Sequence, residues 1–543
     1  MRKSGSMKKA IKIVGYTLLG LIVVLWGVQW WLGNKIEDII EEKIYEESGG
    51  RIQADVGSVS VRLIGRRVNI KEVRITTDTL RPVTAVRSVP YADVYLKKLE
   101  IKGIHFKKRD SSTFIRAKVL SLDLPHFFAD VKAADKSRTS VDKGKGRSAE
   151  TINRLFTRLE VGKIDLKLGE VYGRQYQGKD TVSYALRDFS FRVDDLDVRT
   201  RPDTLFPVCK ARDMQLTFAS FRNKFAQNSQ LLEVDTFSLN GQEGRLAVQA
   251  IRLIPQYSML EFARKTEKHT DWTKIQVGKV VCHRLDMQRM LTEQVLQIDS
   301  VDIQGAHISS FKNRQIEQAK RVKRLFYESV QQFPLPLSIR RIRLEDINVV
   351  YKELAEKGIS PGTVTFDQLK GTFYDLTNIV RPEQPYFTLK AEGKLMDQGK
   401  LQATFLLPVD SLKPHFEMEG RLGKMSMQRL NQMIEPLAKI QVTSGEIDEM
   451  KFKITGNSHT AYVHMLFLYK DLKIRIMKEK DGHLEVRSFL STLANGLIAT
   501  ANNPGRDGQP RTADGKAERD IYRSQFNYLW RTLLSGLKES IGL

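Results

Sequence analysis

The stretch Val161-Gly-Lys-Ile-Asp-Leu-Lys-Leu168 sets the fold class. Ile164, Leu166 and Leu168 alternate with Asp165 and Lys167. A period of two puts the apolar side chains on one face of an extended strand and the charges on the other. The same alternation occurs upstream in Val59-Ser-Val-Arg-Leu63, Val68-Asn-Ile70 and Val73-Arg-Ile75, then from Tyr95 to Phe106 and from Lys118 to Leu124. Downstream it runs, with interruptions, to about residue 310, and it returns over Tyr386–Leu407 and Glu446–Met477. Short runs broken by Gly, Asp and Ser predict antiparallel strands, half exposed on one face.

Helical spacing is confined to a few segments. Lys35–Glu47 carries Ile36, Ile39, Ile40 and Ile44 on one face and ends at Gly49-Gly50. Ile152, Leu155, Phe156 and Leu159 predict a short amphipathic helix. Ile316–Val330 predicts another, with Ala319, Val322, Leu325 and Phe326 inward and Pro334 and Pro336 beyond its end. Met425–Ile440 reads as helix broken near Pro436. The last amphipathic helix is expected over Ala517–Ile541, with Phe526, Leu529, Leu533 and Leu537 on one face and Trp530 beside it. Packing on its own sheet is the expected use of that face.

Near the start, Ile11–Leu32 (IKIVGYTLLGLIVVLWGVQWWL) contains one charge, Lys12. A helix needs about 20 apolar residues to cross the hydrocarbon of a bilayer, so this run is long enough. Trp26, Trp30 and Trp31 stand at its far end, where an aromatic belt lies. Arg2, Lys3, Lys8, Lys9 and Lys12 precede the apolar centre, whereas Glu37, Asp38, Glu41 and Glu42 follow it. That asymmetry places the first dozen residues in the cytoplasm and the bulk across the membrane. No small-x-small cleavage site follows the run, which favours an uncleaved anchor over a signal peptide.

The chain has 543 residues and a net charge of +24, with 28% charged and 8% aromatic residues. Such a composition is too rich in aromatics for a disordered chain and favours contact with anionic headgroups or acidic envelope polymers. Nucleic acid is not an expected partner, because the anchor carries most of the chain away from it. Cys209 and Cys282 are the only cysteines; two make no disulfide framework, and pairing or buried thiols are both open. The nine histidines are scattered, and His459 and His464, five apart in a strand, face opposite sides. There is no phosphate-cradling Gly-rich loop, no G-x-S-x-G and no H-E-x-x-H. The expectation is a non-enzyme with no metal and no cofactor.

An internal echo links two regions. Ile152-Asn-Arg-Leu-Phe156 matches Val322-Lys-Arg-Leu-Phe326. Each is followed by strand text and then by Thr-Val-x-aromatic, at Thr181-Val-Ser-Tyr184 and Thr363-Val-Thr-Phe366. Phe191 and Phe373 follow, then Asp195-Leu196 and Asp375-Leu376. Two strand-rich units of one type are expected.

Ser48-Gly-Gly-Arg-Ile-Gln-Ala-Asp-Val-Gly57 and Gly65-Arg-Arg-Val-Asn-Ile-Lys-Glu-Val73, after an anchor and a short helix, resemble the start of AsmA-like envelope proteins. Ile339–Glu353, Gly362–Leu369 with Asn378, Gly456-Asn-Ser-His-Thr-Ala and Tyr469–Ile474 resemble later units of that superfamily. The resemblance implies a rod-like sheet curled into a groove, kin to bridge-like lipid-transfer proteins. It further implies an inner-membrane anchor, a periplasmic body and a link to phospholipid transport and outer-membrane integrity; no catalytic residues come with it.

The expected fold is therefore mainly β: an elongated, curled antiparallel sheet forming a groove, an N-terminal transmembrane helix and a few short amphipathic helices. The expected segments are residues 1–34 (cytoplasmic stub and anchor), 35–132 (AsmA-like helix and strands), 133–148 (a polar linker), 149–482 (the groove, with two related units) and 483–543 (amphipathic helices). Groove-lining candidates are Ile164, Leu166, Leu168, Ile342, Leu344, Phe387, Leu389, Phe405 and Leu407. Tyr386 is adjacent to Phe387 and must face the other way. The expected partners are phospholipid, the inner membrane through the anchor, and outer-membrane or envelope proteins. The alternative role is an anchored scaffold for outer-membrane or secretion assembly with a filled β-sandwich core.

Overall fold

The computed structural model describes residues 45, 52–62, 65–77, 91–109, 112–132, 156–177, 180–200, 207–225, 229–265, 271–316, 320–410, 412–480, 483–486 and 501–542. The expected anchor, Ile11–Leu32, lies outside these residues, as do the 133–148 linker and all of the Lys35–Glu47 helix except Tyr45. No helix among the described residues is long and apolar enough to cross a membrane. The chain is mainly β and forms two compact units, residues 1–250 with 285–294, and residues 251–284 with 295–543.

The first unit is a single-layer sheet. Its strands are β1 (Ile52–Arg62), β2 (Arg67–Thr77), β3 (Tyr91–Lys102), β4 (His105–Arg109), β5 (Ser112–Lys132), β6 (Arg158–Gln177) and β7 (Asp180–Arg199). They are followed by β8 (Val208–Lys210), β9 (Asp213–Phe218), β10 (Ser220–Lys224) and β11 (Gln230–Asn240), and β12 (Arg245–Pro255) carries the chain across the boundary. β1, β2, β3 and β5 pair in turn, antiparallel, and β4 pairs with the start of β5. β5 and β6 are parallel, β6 and β7 antiparallel, and β9 and β10 bridge β7 to β11.

The second unit contains helix α1 (Met259–Lys265), β13 (Trp272–Leu285), β14 (Leu296–Asn313), β15 (Leu337–Leu354), β16 (Gly362–Thr377), β17 (Tyr386–Leu395) and β18 (Gly399–Pro408). It continues with β19 (Phe416–Leu422), β20 (Met425–Ser426), β21 (Ile440–Gly456), β22 (Thr460–Lys480), β23 (His483–Val486) and β24 (Thr512–Glu518). Helix α2 (Met287–Thr292) belongs to the first unit; α3 (Phe326–Gln331), α4 (Asn431–Ala438) and α5 (Gln525–Ser540) belong to the second. β14 and β15 are parallel; β15 to β19, β21, β22 and β24 then pair antiparallel in that order.

The sheet is therefore mixed, not purely antiparallel. A parallel pair needs a crossover of a dozen residues or more, and both parallel pairs are joined by one, residues 133–157 and 314–336. The echoed Thr181–Tyr184 and Thr363–Phe366 open β7 and β16, which pair antiparallel with the second strand of each parallel pair.

Strict alternation would make a flat strand, but here the alternation slips. In β7 the inward residues are Tyr184 and Leu186, then Phe189, Phe191 and Val193, then Leu196 and Val198. Each slip falls at an aspartate with positive φ, Asp188 (51°) and Asp195 (52°). β16 repeats the device seven residues apart at Gln368 (51°) and Asp375 (57°). Short polar residues tolerate this conformation better than branched ones. The slips align across strands, since Gly57, Glu72, Lys97, Pro125, Gly169 and Asp188 are successively skipped in the ladders. A second line runs through Lys118, Gly162 and Asp195. A Cβ on Gly162 would lie 2.8 Å from the Lys118 carbonyl oxygen, and one on Gly169 would collide with that of Pro125. At these points residues on both strands are skipped together and the alternation flips; two aligned lines of such breaks crease the sheet of the first unit.

Three helix boundaries differ from expectation. Leu159 lies in β6, and Phe156 is not helical. Among the described residues of Ile316–Val330, α3 is the helix that forms. Lys323 is instead tied by its N–H to the Ile521 carbonyl, Val322 is exposed, and the Glu328 carboxylate accepts from Leu325 N–H to begin the helix at Phe326. The last helix begins at Gln525 rather than Ala517, because Thr512–Glu518 adds β24 to the sheet and Ser524 caps the new start. Met425–Ile440 is short 3-10 and α-helix with Pro436 inside, close to expectation. Arg519, whose side chain is 4% exposed, joins α3 to the turn before α5 through Glu328 (2.9 Å) and the Lys323 carbonyl (2.6 Å).

Candidate functional site

In the first unit, eight strands contribute one apolar residue each to a continuous row. The registers align Val59, Ile70, Leu99, Leu122, Leu166, Phe191, Leu216 and Leu239. A second row, two residues along, runs from Val61 through Val68, Ile101, Leu120, Ile164 and Val193 to Met214. Leu168 continues the face opposite Leu124 and Phe189. Ile164, Leu166 and Leu168 thus lie together at the middle of an inner face, between the two creases.

Burial changes along this face. Ile70 and Leu99 are fully buried, whereas Leu166, Phe191 and Leu216 are half-buried. Every member of the hydrophobic cluster comes from the strands and the short turns between them; among the described residues no helix packs on it. Burial is uneven along both rows: Val59 and Val61 of β1 are half-buried, whereas Val193 of β7 and Leu239 of β11 are buried.

The opposite face is charged. Arg116 pairs with Glu160 (2.6 Å), and Arg158 forks onto Asp197 (3.1 and 3.0 Å), which Arg199 also reaches (2.9 Å). In the second unit Arg343 and His283 share Asp302, and Arg340 holds Asp299. Burial works against the charges of Asp197 and Asp302, but hydrogen bonds from Arg199 and Arg158, and from Arg343 and His283, hold both carboxyls below their ordinary range. A carboxyl depressed in the folded state stabilises fully above its unfolded pKa, and that contribution is lost as pH falls through the folded value. The melting temperature is accordingly expected to fall by several degrees between about pH 6 and about pH 3. A thermal scan giving the same midpoint at both values would refute this role.

The second unit has a fuller interior. Its registers align Val301, Ile342, Phe373, Leu389, Phe405, Met418, Ile454 and Val463. Leu344 lies opposite Gly371. Phe387 and Leu407 face each other one step along and are 0% and 3% exposed, inside the core. Ile342, Leu344, Leu389 and Phe405 are half-buried. The candidates therefore divide, on their burial, into core residues and residues lining a partly open face.

Helix α5 packs on this interior. Its buried stripe is Tyr528, Thr532, Gly536 and Ser540, and it rests on β22 and β24. Gly536 and Gly515 allow the close approach: a Cβ on Gly515 would meet Gly536 N. The apolar stripe, Phe526, Leu529, Trp530, Leu533 and Leu537, is only half-buried. Phe526 reaches Tyr351 (5.4 Å) and Phe366 (6.1 Å). The apolar stripe packs against the hydrophobic core of the second unit and keeps part of its surface exposed. That face therefore packs on the sheet, as the periodicity leads one to expect, and the small, polar stripe is buried as well.

Cys209 and Cys282 are free thiols, and burial pushes both above the ordinary thiol value. Among the described residues no three His, Cys, Asp or Glu are grouped to hold a metal. No protein-family model matches the chain, and no curated protein is significantly similar to it.

Proposed function

We propose that this chain is a lipid-binding protein. It would be tethered to a bacterial inner membrane by Ile11–Leu32 with its N-terminus in the cytoplasm, and would carry phospholipid toward the outer membrane along the inner faces of its curled sheets. The observation that carries the reading is the apolar row from Val59 to Leu239, half-buried at Val59, Leu166, Phe191 and Leu216 and backed by a charged outer face. Seven strand spacings of about 4.8 Å make it roughly 34 Å long. One acyl chain spans half of a hydrocarbon core of about 30 Å, so the row has room for a chain and for its displacement. Each methylene kept from water is worth about 0.8 kcal/mol. No chemistry is required, and the reading is of a non-enzyme.

The filled core around Phe387 and Leu407 favours a second reading for the second unit, a scaffold that docks envelope proteins. Mass spectrometry of lipid retained by the purified full chain separates the two. Phospholipid at about one or more per chain is expected; a lipid-free chain that crosslinks to an envelope protein would replace carrier with scaffold.

A further inference from the structure

The inner face of the second unit ends in an unmatched charge. Beyond the bulge at Gly305, β14 places Ala306, Ile308, Ser310 and Lys312 on one side, opposite Ile347, Val349, Tyr351 and Glu353 of β15. Lys312 is 5% exposed, yet it forms no ion pair or hydrogen bond with any described residue. The nearby carboxylates are already engaged. Glu353 accepts from Arg314 (3.0 Å) and from the Tyr351 hydroxyl (2.5 Å), and Asp271 holds Lys323 (2.9 Å). Burial, and then Arg523, push the Lys312 ammonium below its ordinary value; Asp271 and Glu353 offset this in part and Lys323 adds to it. A largely buried ammonium with no carboxylate in hydrogen-bond contact is costly, and an incoming anion relieves the cost.

We propose that Lys312, flanked by Arg523 and Lys323, binds a phosphate anion, the headgroup phosphate of a lipid. Tyr351, which touches Phe526, stands where the apolar face meets the charge. This inference rests on the lipid-binding reading above for the source of the phosphate, though not for the anion site itself.

The test uses the full chain, Lys312→Met and Lys312→Gln. Each is exposed to vesicles of equal phosphatidylglycerol and diacylglycerol, and separately to inorganic phosphate followed by thermal shift. Both variants are expected to take up about tenfold less phosphatidylglycerol with diacylglycerol unchanged. Phosphate should raise the melting temperature of the native chain only. Unchanged phosphatidylglycerol uptake in both variants overturns the proposal and leaves the lipid reading standing. A native chain that takes up neither lipid, but binds phosphate through Lys312, keeps the anion site and removes the lipid reading. A native chain that binds neither phosphate nor phosphatidylglycerol overturns the site. Loss of a buried unpaired charge is not expected to unfold either variant.

Discussion

Leu166→Glu is expected to lower the phospholipid retained by the full chain about tenfold or more while the protein stays folded. Leu166 sits at the fifth position of the eight-residue row, paired with Leu122 and Phe191. It is half-buried, so a carboxylate there keeps part of its water, and the folded state loses on the order of 1–2 kcal/mol of apolar burial. An acyl chain lying along the row would strip that water. Dehydrating a carboxylate costs several kcal/mol, and every 1.4 kcal/mol is a factor of ten in affinity. Leu344→Glu makes the same change on the inner face of the second unit, and the double variant should abolish transfer between vesicles. Lys167→Glu, on the exposed outer side of the same strand, reverses a charge without touching the row and should carry lipid normally. If Leu166→Glu retains as much lipid as Lys167→Glu, the row is not where the chains lie.

Much of this face was legible in the sequence, and the reason is physical. Ile164, Leu166 and Leu168 fall between two bulges, where alternation holds over a full block. Beyond the block the phase slips at Gly162 and Gly169, and a fixed period of two loses the face. The glycines and the Asp188–Asp195 spacing of seven were the available signal, because Gly162 and Gly169 stand where a Cβ would be crowded and both aspartates have positive φ. Partners across the sheet were not legible, since register is a long-range property; alternation alone does not distinguish the parallel pairing of β5 with β6 and of β14 with β15 from an antiparallel one. The apolar face of α5 was legible, but the burial of its small, polar stripe was not. Helical periodicity shows which residues share a face, but it cannot tell whether a small, polar stripe finds a glycine-lined surface to rest on. Lys312 was hidden as well, because a lone lysine in strand text reads as outward-facing until the bulge at Gly305 turns it inward.

Phe387→Ala should do the reverse of Leu166→Glu, removing stability and sparing lipid. Phe387 has no exposed surface. It lies opposite Leu407 and within 6.2 Å of the Phe326 ring of α3, in a core that also holds Val409 and Phe416. Truncating a buried phenylalanine removes its transfer energy and leaves a cavity, at a cost of about 3–5 kcal/mol. For a unit of this size that is on the order of 10 °C in melting temperature. Leu389, two residues along the same strand, is half-buried opposite Phe405. Leu389→Ala should therefore cost less stability than Phe387→Ala and reduce lipid uptake more. Thermal melts of the two variants, with retained lipid measured well below both midpoints, decide the matter. Should Phe387→Ala lose lipid while melting like the native chain, the division between core and lining residues would fail. The apolar chain would then have to reach behind the first layer of side chains.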